Sequence, residues 1–125
     1  MKISSLNILI NQKSALNKKF YFISGNEKTL MEKIKTILLE GFKEKENVQI
    51  KNIDTIIDFV DEIGLFGDKN VYIVNGYRGI SSETLDNLRS SESNFIFLQE
   101  NSQKIKKIKS LFSVDKDCYL IDCYE

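Results

Sequence analysis

The stretch Ser24-Gly-Asn-Glu-Lys-Thr29 ends in the Lys-Thr pair that closes a phosphate-binding loop. In such a loop, glycine-freed backbone amides cradle phosphates and the lysine reaches the outer ones. The pattern G-x-x-x-x-G-K-[ST] is not met, however. Glu27 stands where the second glycine belongs, an apolar strand residue stands where the first belongs, and a carboxylate at 27 repels phosphate. The loop is also too short to wrap one. Val74-Asn75 closes the strand that would offer a carboxylate to Mg²⁺, and it offers none. The chain has no histidine for general base work, no nucleophile elbow and no glycine-rich dinucleotide fingerprint. Cys118 and Cys123 fall in one strand-like run, so their Cα atoms would stand about 16 Å apart on opposite faces. A disulfide needs them within ~7 Å. With two cysteines and no histidine a zinc site is excluded as well, leaving two buried thiols. These residues predict no catalytic, cofactor-binding or metal-ligating site, and no enzyme. The alternative is a nucleotide-dependent enzyme with a degenerate phosphate loop, working through Lys28, Thr29 and Arg78.

A different chemistry is offered by Gly64-Leu-Phe-Gly67. A loop bounded by glycines should be polar, yet Leu65 and Phe66 lie side by side in it. Burying either is worth ~1.5–3 kcal/mol, so something must cover them. Taken locally, the pattern favours folding back onto the protein's own core over coverage by a partner. Just upstream, Ile56, Phe59, Val60 and Ile63 fall at i, i+3, i+4 and i+7, and Gly64 reads as a helix stop.

The elements that position these residues alternate along the chain. A first amphipathic helix is expected over about 4–18, with Leu6, Leu9 and Ile10 on one face. Phe20–Ser24 reads as a strand. Asn26 is the expected cap of a helix that carries Leu30, Ile34, Ile37 and Leu38 to about Gly41. Val48–Ile53 is a second strand, Asp54–Ile63 a helix and Val71–Val74 a third strand. A short helix opens at Ser81 or Ser82 and runs through Leu85 and Leu88. Phe95–Leu98 is a fourth strand. Ile105, Ile108, Leu111 and Phe112 face the core from the next helix, and Cys118–Ile121 is the fifth strand. Strands separated by helices predict an α/β fold, a five-stranded parallel sheet flanked by helices, with right-handed crossovers. Phe95–Leu98 is continuously apolar, as a strand covered on both faces should be. The frame is that of a P-loop ATPase without its catalytic parts.

The 125 residues predict one domain, 1–125. Eighteen basic side chains balance eighteen acidic ones, so no global field draws the chain to nucleic acid or anionic lipid. The lysines of Lys104–Lys109 read as a solvated helix face ahead of a phosphate patch. No apolar run approaches membrane-spanning length and the first ten residues are too short and polar for a signal peptide, so the expected location is the cytoplasm.

Three segments resemble the delta subunit of the bacterial DNA polymerase III clamp loader: Tyr21-Phe-Ile-Ser-Gly-Asn-Glu27 and its helix, Ile63-Gly-Leu-Phe-Gly-Asp-Lys-Asn-Val-Tyr-Ile-Val-Asn75, and Phe95-Ile-Phe-Leu-Gln-Glu-Asn101 with the lysine-rich helix behind it. The resemblance runs in order from about Leu6 to the end. It implies an AAA+-like three-layer domain without a working nucleotide site and without cofactors. It also implies a non-catalytic role in DNA replication, binding and opening the ring-shaped sliding clamp (the beta subunit) through a hydrophobic wedge. Leu65 and Phe66 occupy the wedge positions and Ile63 lies beside them, which reverses the local preference for a core role. The family's other loader subunits are implied partners, and DNA only indirectly. Family members continue into a helical lid and a collar domain, so the expectation is a fragment or a truncated gene.

Overall fold

A computed structural model describes residues 2–4, 18–45, 47–58, 69–100 and 105–123. The elements in chain order are β1 (Lys2–Ser4), β2 (Phe20–Gly25), α1 (Lys28–Lys45), β3 (Val48–Ile53), a 3₁₀ turn (Ile56–Asp58), β4 (Lys69–Val74), α2 (Ser82–Leu88), β5 (Asn94–Glu100), α3 (Lys106–Val114) and β6 (Cys118–Cys123). All five expected strands are present. With the three-residue β1 they form one parallel sheet in the order β1-β6-β2-β5-β4-β3.

Strand order decides the layers. α1 links β2 to β3 in one direction across the sheet, whereas α2 and α3 link β4 to β5 and β5 to β6 in the other. With right-handed crossovers, opposite directions place helices on opposite faces. The cores agree. On one face Met31, Ile34, Leu38 and Phe42 of α1 pack on Tyr21, Ile23, Val71, Ile96 and Ile121. On the other, Leu85, Leu88, Ile108 and Phe112 pack on Phe20, Phe22, Tyr72, Phe95, Phe97 and Leu120. Adjacent residues of β2 thus serve opposite cores, and so the strand has no polar face to show. Phe112 lies 4.6 Å from Phe22 and 5.0 Å from Phe97, ring centre to ring centre.

Local signals are met where periodicity or capping is strong. Ser81 caps α2, its hydroxyl accepting the Thr84 N–H at 3.2 Å. Four readings are corrected. Ser4, expected to open the first helix, ends β1, where Lys2-Ile3-Ser4 pairs with Leu120-Ile121-Asp122 on the outer edge of β6. The rest of that helix lies outside the described residues. α1 runs through Gly41 to Lys45, because Phe42 continues the apolar stripe and meets the Tyr21 ring edge-on at 5.8 Å. Burying a phenylalanine outweighs the ~1 kcal/mol that glycine costs inside a helix. Glu27, not Asn26, caps α1: its Oε1 accepts the Thr29 N–H at 3.1 Å and its carbonyl accepts the Met31 N–H at 3.0 Å. The helix expected over Asp54–Ile63 is, in its described part, a single 3₁₀ turn, and 59–68 lie outside the described residues.

The opposite end of the sheet is tied by Arg89, which follows α2. It bonds Asp117 at 3.0 Å, Asp86 at 3.4 Å and Asp115, and its guanidinium lies 5.7 Å from the Phe20 ring centre.

Candidate functional site at the carboxyl ends of the strands

In an open parallel sheet, ligands bind beyond the carboxyl ends of the strands, where neighbouring strands send the chain to opposite faces. Here that point lies between β2 and β5: α1 follows β2 on one face and α3 follows β5 on the other.

The loop after β2 is closed by its own chain. The N–H groups of Asn26 and Glu27 both donate to the carbonyl of Cys123 at the end of β6, each at 3.1 Å. Gly25 has φ +148, and a Cβ there would lie 2.0 Å from the same oxygen. Only glycine allows that approach. Two amides that could cradle an anion are thus committed to a backbone oxygen, whose partial negative charge faces where a phosphate would sit. Aligned on Lys28-Thr29, the two glycines of the phosphate-loop pattern fall at Phe22, buried in the aromatic core, and at the capping Glu27.

The other strand ends also turn to structural use. Asn75, after β4, gives both its N–H and its Nδ2 to the Ile53 carbonyl, at 3.1 and 3.4 Å. At one register level across β6, β2 and β5 the apolar rows give way to Asp122, Ser24 and Gln99. Ser24 Oγ reaches Asp122 Oδ1 at 3.4 Å, and Lys109 Nζ of α3 pairs with the same oxygen at 2.7 Å. Gln99 is 4% exposed and its Nε2 has no hydrogen-bond partner among the described residues.

Burial pushes the Cys123 thiol up to about 11, with the Asp122 carboxylate adding to it, and burial raises the Cys118 thiol further still. Neither is a nucleophile at neutral pH. The two lie on opposite faces of β6, as their spacing requires. Among the described residues no group of three acidic or cysteine side chains could hold a metal ion. No described helix is long and apolar enough to cross a membrane.

Lys106 and Lys107 are exposed, as a solvated face requires, but Lys109 is drawn down to Asp122. Lys28, Thr29 and Arg78 are exposed, the first two in the opening turn of α1 and Arg78 in the loop after β4. Leu65, Phe66 and Ile63 lie outside the described residues. Sequence reasoning missed the Cys123 carbonyl, since a backbone oxygen leaves no trace in residue type.

The fold and the strand ends together define a three-layer α/β domain whose would-be phosphate loop is filled by its last strand. No protein-family model matches the chain, and no curated protein does either.

Proposed function

We propose that this chain is a non-catalytic, AAA+-like clamp-loader domain in DNA replication, of the delta-subunit kind, which binds and opens a sliding clamp. Leu65 and Phe66 are its wedge, with Ile63 beside them. The clamp is its direct partner, and DNA is met only through the ring. Other loader subunits are partners of the full-length family, and the cytoplasm is the place of action.

The observation that carries this reading is the double donation from Asn26 and Glu27 to the Cys123 carbonyl. A P-loop frame that has spent its loop amides internally keeps the architecture and gives up nucleotide, as the resemblance implies. The same contact speaks against the nucleotide-dependent enzyme, for which Lys28 and Thr29 would need those amides free. The work left for the chain is then recognition of a partner, and a Leu-Phe pair between glycines is an apolar anchor for one.

The test is binding to the ring clamp encoded by the same genome. Two apolar anchors together supply about 3–6 kcal/mol, so Leu65→Ala/Phe66→Ala should weaken binding by roughly 10²–10⁴-fold. The melting temperature should hold, because a core pair would cost ~2–5 kcal/mol of stability per site. Wild-type affinity in the double variant, or Mg²⁺-ATP binding that is lost in Lys28→Ala, would sink the reading.

A further inference from the structure

The two edges of the sheet differ. On one side β1 closes the sheet with three residues, and on the other β3 ends it with six, bonded to β4 alone. Lys69 donates its N–H to the Asn47 carbonyl and Asn75 donates to the Ile53 carbonyl, with the register unbroken between them. Backbone groups of successive residues in a strand point to opposite sides, so the odd-numbered residues of β3 serve β4. The N–H and C=O groups of Val48, Ile50 and Asn52 therefore point away from the sheet, and none has a hydrogen-bond partner among the described residues. A row of this kind invites a further strand, and proteins blunt it with proline, charge or a bulge. In β3 these devices are all but absent: the chain has no proline, Lys51 is the strand's one charge, and each residue from Val48 to Ile53 has its partner in β4. Val48 lies against the α1 core, Ile50 follows it on the same face, and both are only half-buried.

We propose that β3 pairs antiparallel with the β3 of a second copy of this chain, about a two-fold axis at Ile50, so that two sheets become one. The strand itself selects the occupant. Outward groups must face outward groups, so even-numbered residues pair with even-numbered ones. With the axis at Ile50, Ile50 meets the partner's Ile50 and Val48 meets the partner's Asn52, so every outward group is used. Ile50 then gains an apolar neighbour on the α1 face, and Lys51 lies opposite the partner's Gln49. An axis at Lys51 would set two ammonium groups side by side, which is destabilising. An axis at Gln49 would carry Asn52 past the end of the partner's strand. Eighteen positive and eighteen negative side chains also leave no net charge to hold two copies apart. The pairing needs no clamp.

Sedimentation equilibrium of the full chain over a range of concentrations tests the pairing, and a monomer–dimer equilibrium is expected. Ile50→Pro removes an outward N–H and no bond to β4, so circular dichroism is unchanged while the dissociation constant rises by about tenfold or more. If Ile50→Pro does not fold, Ile50→Lys takes its place, since it sets two ammonium groups together at the axis. Oxidation of two cysteine variants reads the register. In Ile50→Cys the Cα atoms that face each other across the axis stand about 5.5 Å apart, within disulfide range, so a covalent dimer forms. In Gln49→Cys the corresponding atoms are staggered, and no covalent dimer is expected. A chain that is monomeric at every concentration overturns the proposal. So does a dimer that the folded Ile50 variant leaves at wild-type strength. A covalent dimer from Gln49→Cys but not from Ile50→Cys overturns the axis.

Discussion

Replacing Gly25 with alanine tests whether the loop after β2 is closed as described. The new methyl carbon would stand 2.0 Å from the Cys123 oxygen, where no atom can sit, and φ +148 is a conformation that L side chains rarely adopt. Holding alanine in that region costs ~1–3 kcal/mol. To relieve the overlap the loop must withdraw, which gives up the two bonds from Asn26 and Glu27. At ~0.5–1.5 kcal/mol each, these bring the expected loss to about 2–6 kcal/mol. For a chain of this length each kcal/mol moves the melting temperature by about 4 °C, so the expected fall is roughly 8–24 °C. Urea titration with an unchanged slope, beside a thermal melt, measures it. A loss below about 1 kcal/mol would refute the reasoning, for then Gly25 and the Cys123 carbonyl do not share the space assigned to them.

Three further outcomes follow from the same contacts. Arg89→Ala should cost about 2–4 kcal/mol, because it leaves the Asp115 carboxylate, 7% exposed, without its guanidinium, and the loss should shrink little in 1 M salt; a loss under 0.5 kcal/mol by denaturant titration would contradict it. Gln99→Met should stabilise the chain by about 1 kcal/mol, since it removes a buried donor that has no partner among the described residues; a lowered midpoint would show that the amide is satisfied in solution. Cys123 keeps its proton to about pH 11 when folded and loses it near 9 when unfolded, so its contribution to stability is complete below pH 9 and is lost between about 9 and 11; midpoints that stay level from pH 8 to 10.5 would contradict this.

Where pattern and packing pull together, the residues announce the fold. Ile34 and Leu38 of the expected helix face are buried, with Leu30 and Ile37 partly so beside Met31 and Phe42, the phenylalanine-rich strands run apolar without break, and Ser81 carries its own capping chemistry. Legibility fails where a distant partner decides. Gly41 looks like a stop until Tyr21 gives Phe42 a ring to lie against. Asn26 looks like a cap until the Cys123 carbonyl, holding the N–H groups of both Asn26 and Glu27, fixes the loop so that the helix begins one residue later, with Glu27 accepting from Thr29 and Met31. Lys2-Ile3-Ser4 has too few residues to read as a strand, and only the edge of β6 makes it one. The expectation at the strand ends, no phosphate loop, rested on side chains alone; the carbonyl that fills the loop became visible only in three dimensions.

The strand order has a consequence for how the chain comes to be folded. β2 sits between β5 and β6, so its nearest neighbours arrive 75 and 98 positions later, Phe20 meeting Phe95 on one side and Cys118 on the other. During synthesis its apolar run waits for most of the chain to be made before it finds a ladder. Loop closures of that length make folding slow and leave an aggregation-prone segment uncovered while it proceeds. α1 is the part that can shield β2 early, because it follows within a few residues and packs on Tyr21 and Ile23. The order of assembly is thus written into the sheet: one face of β2 is sheltered locally and at once by α1, the other only when α2 and α3 pack on Phe20 and Phe22.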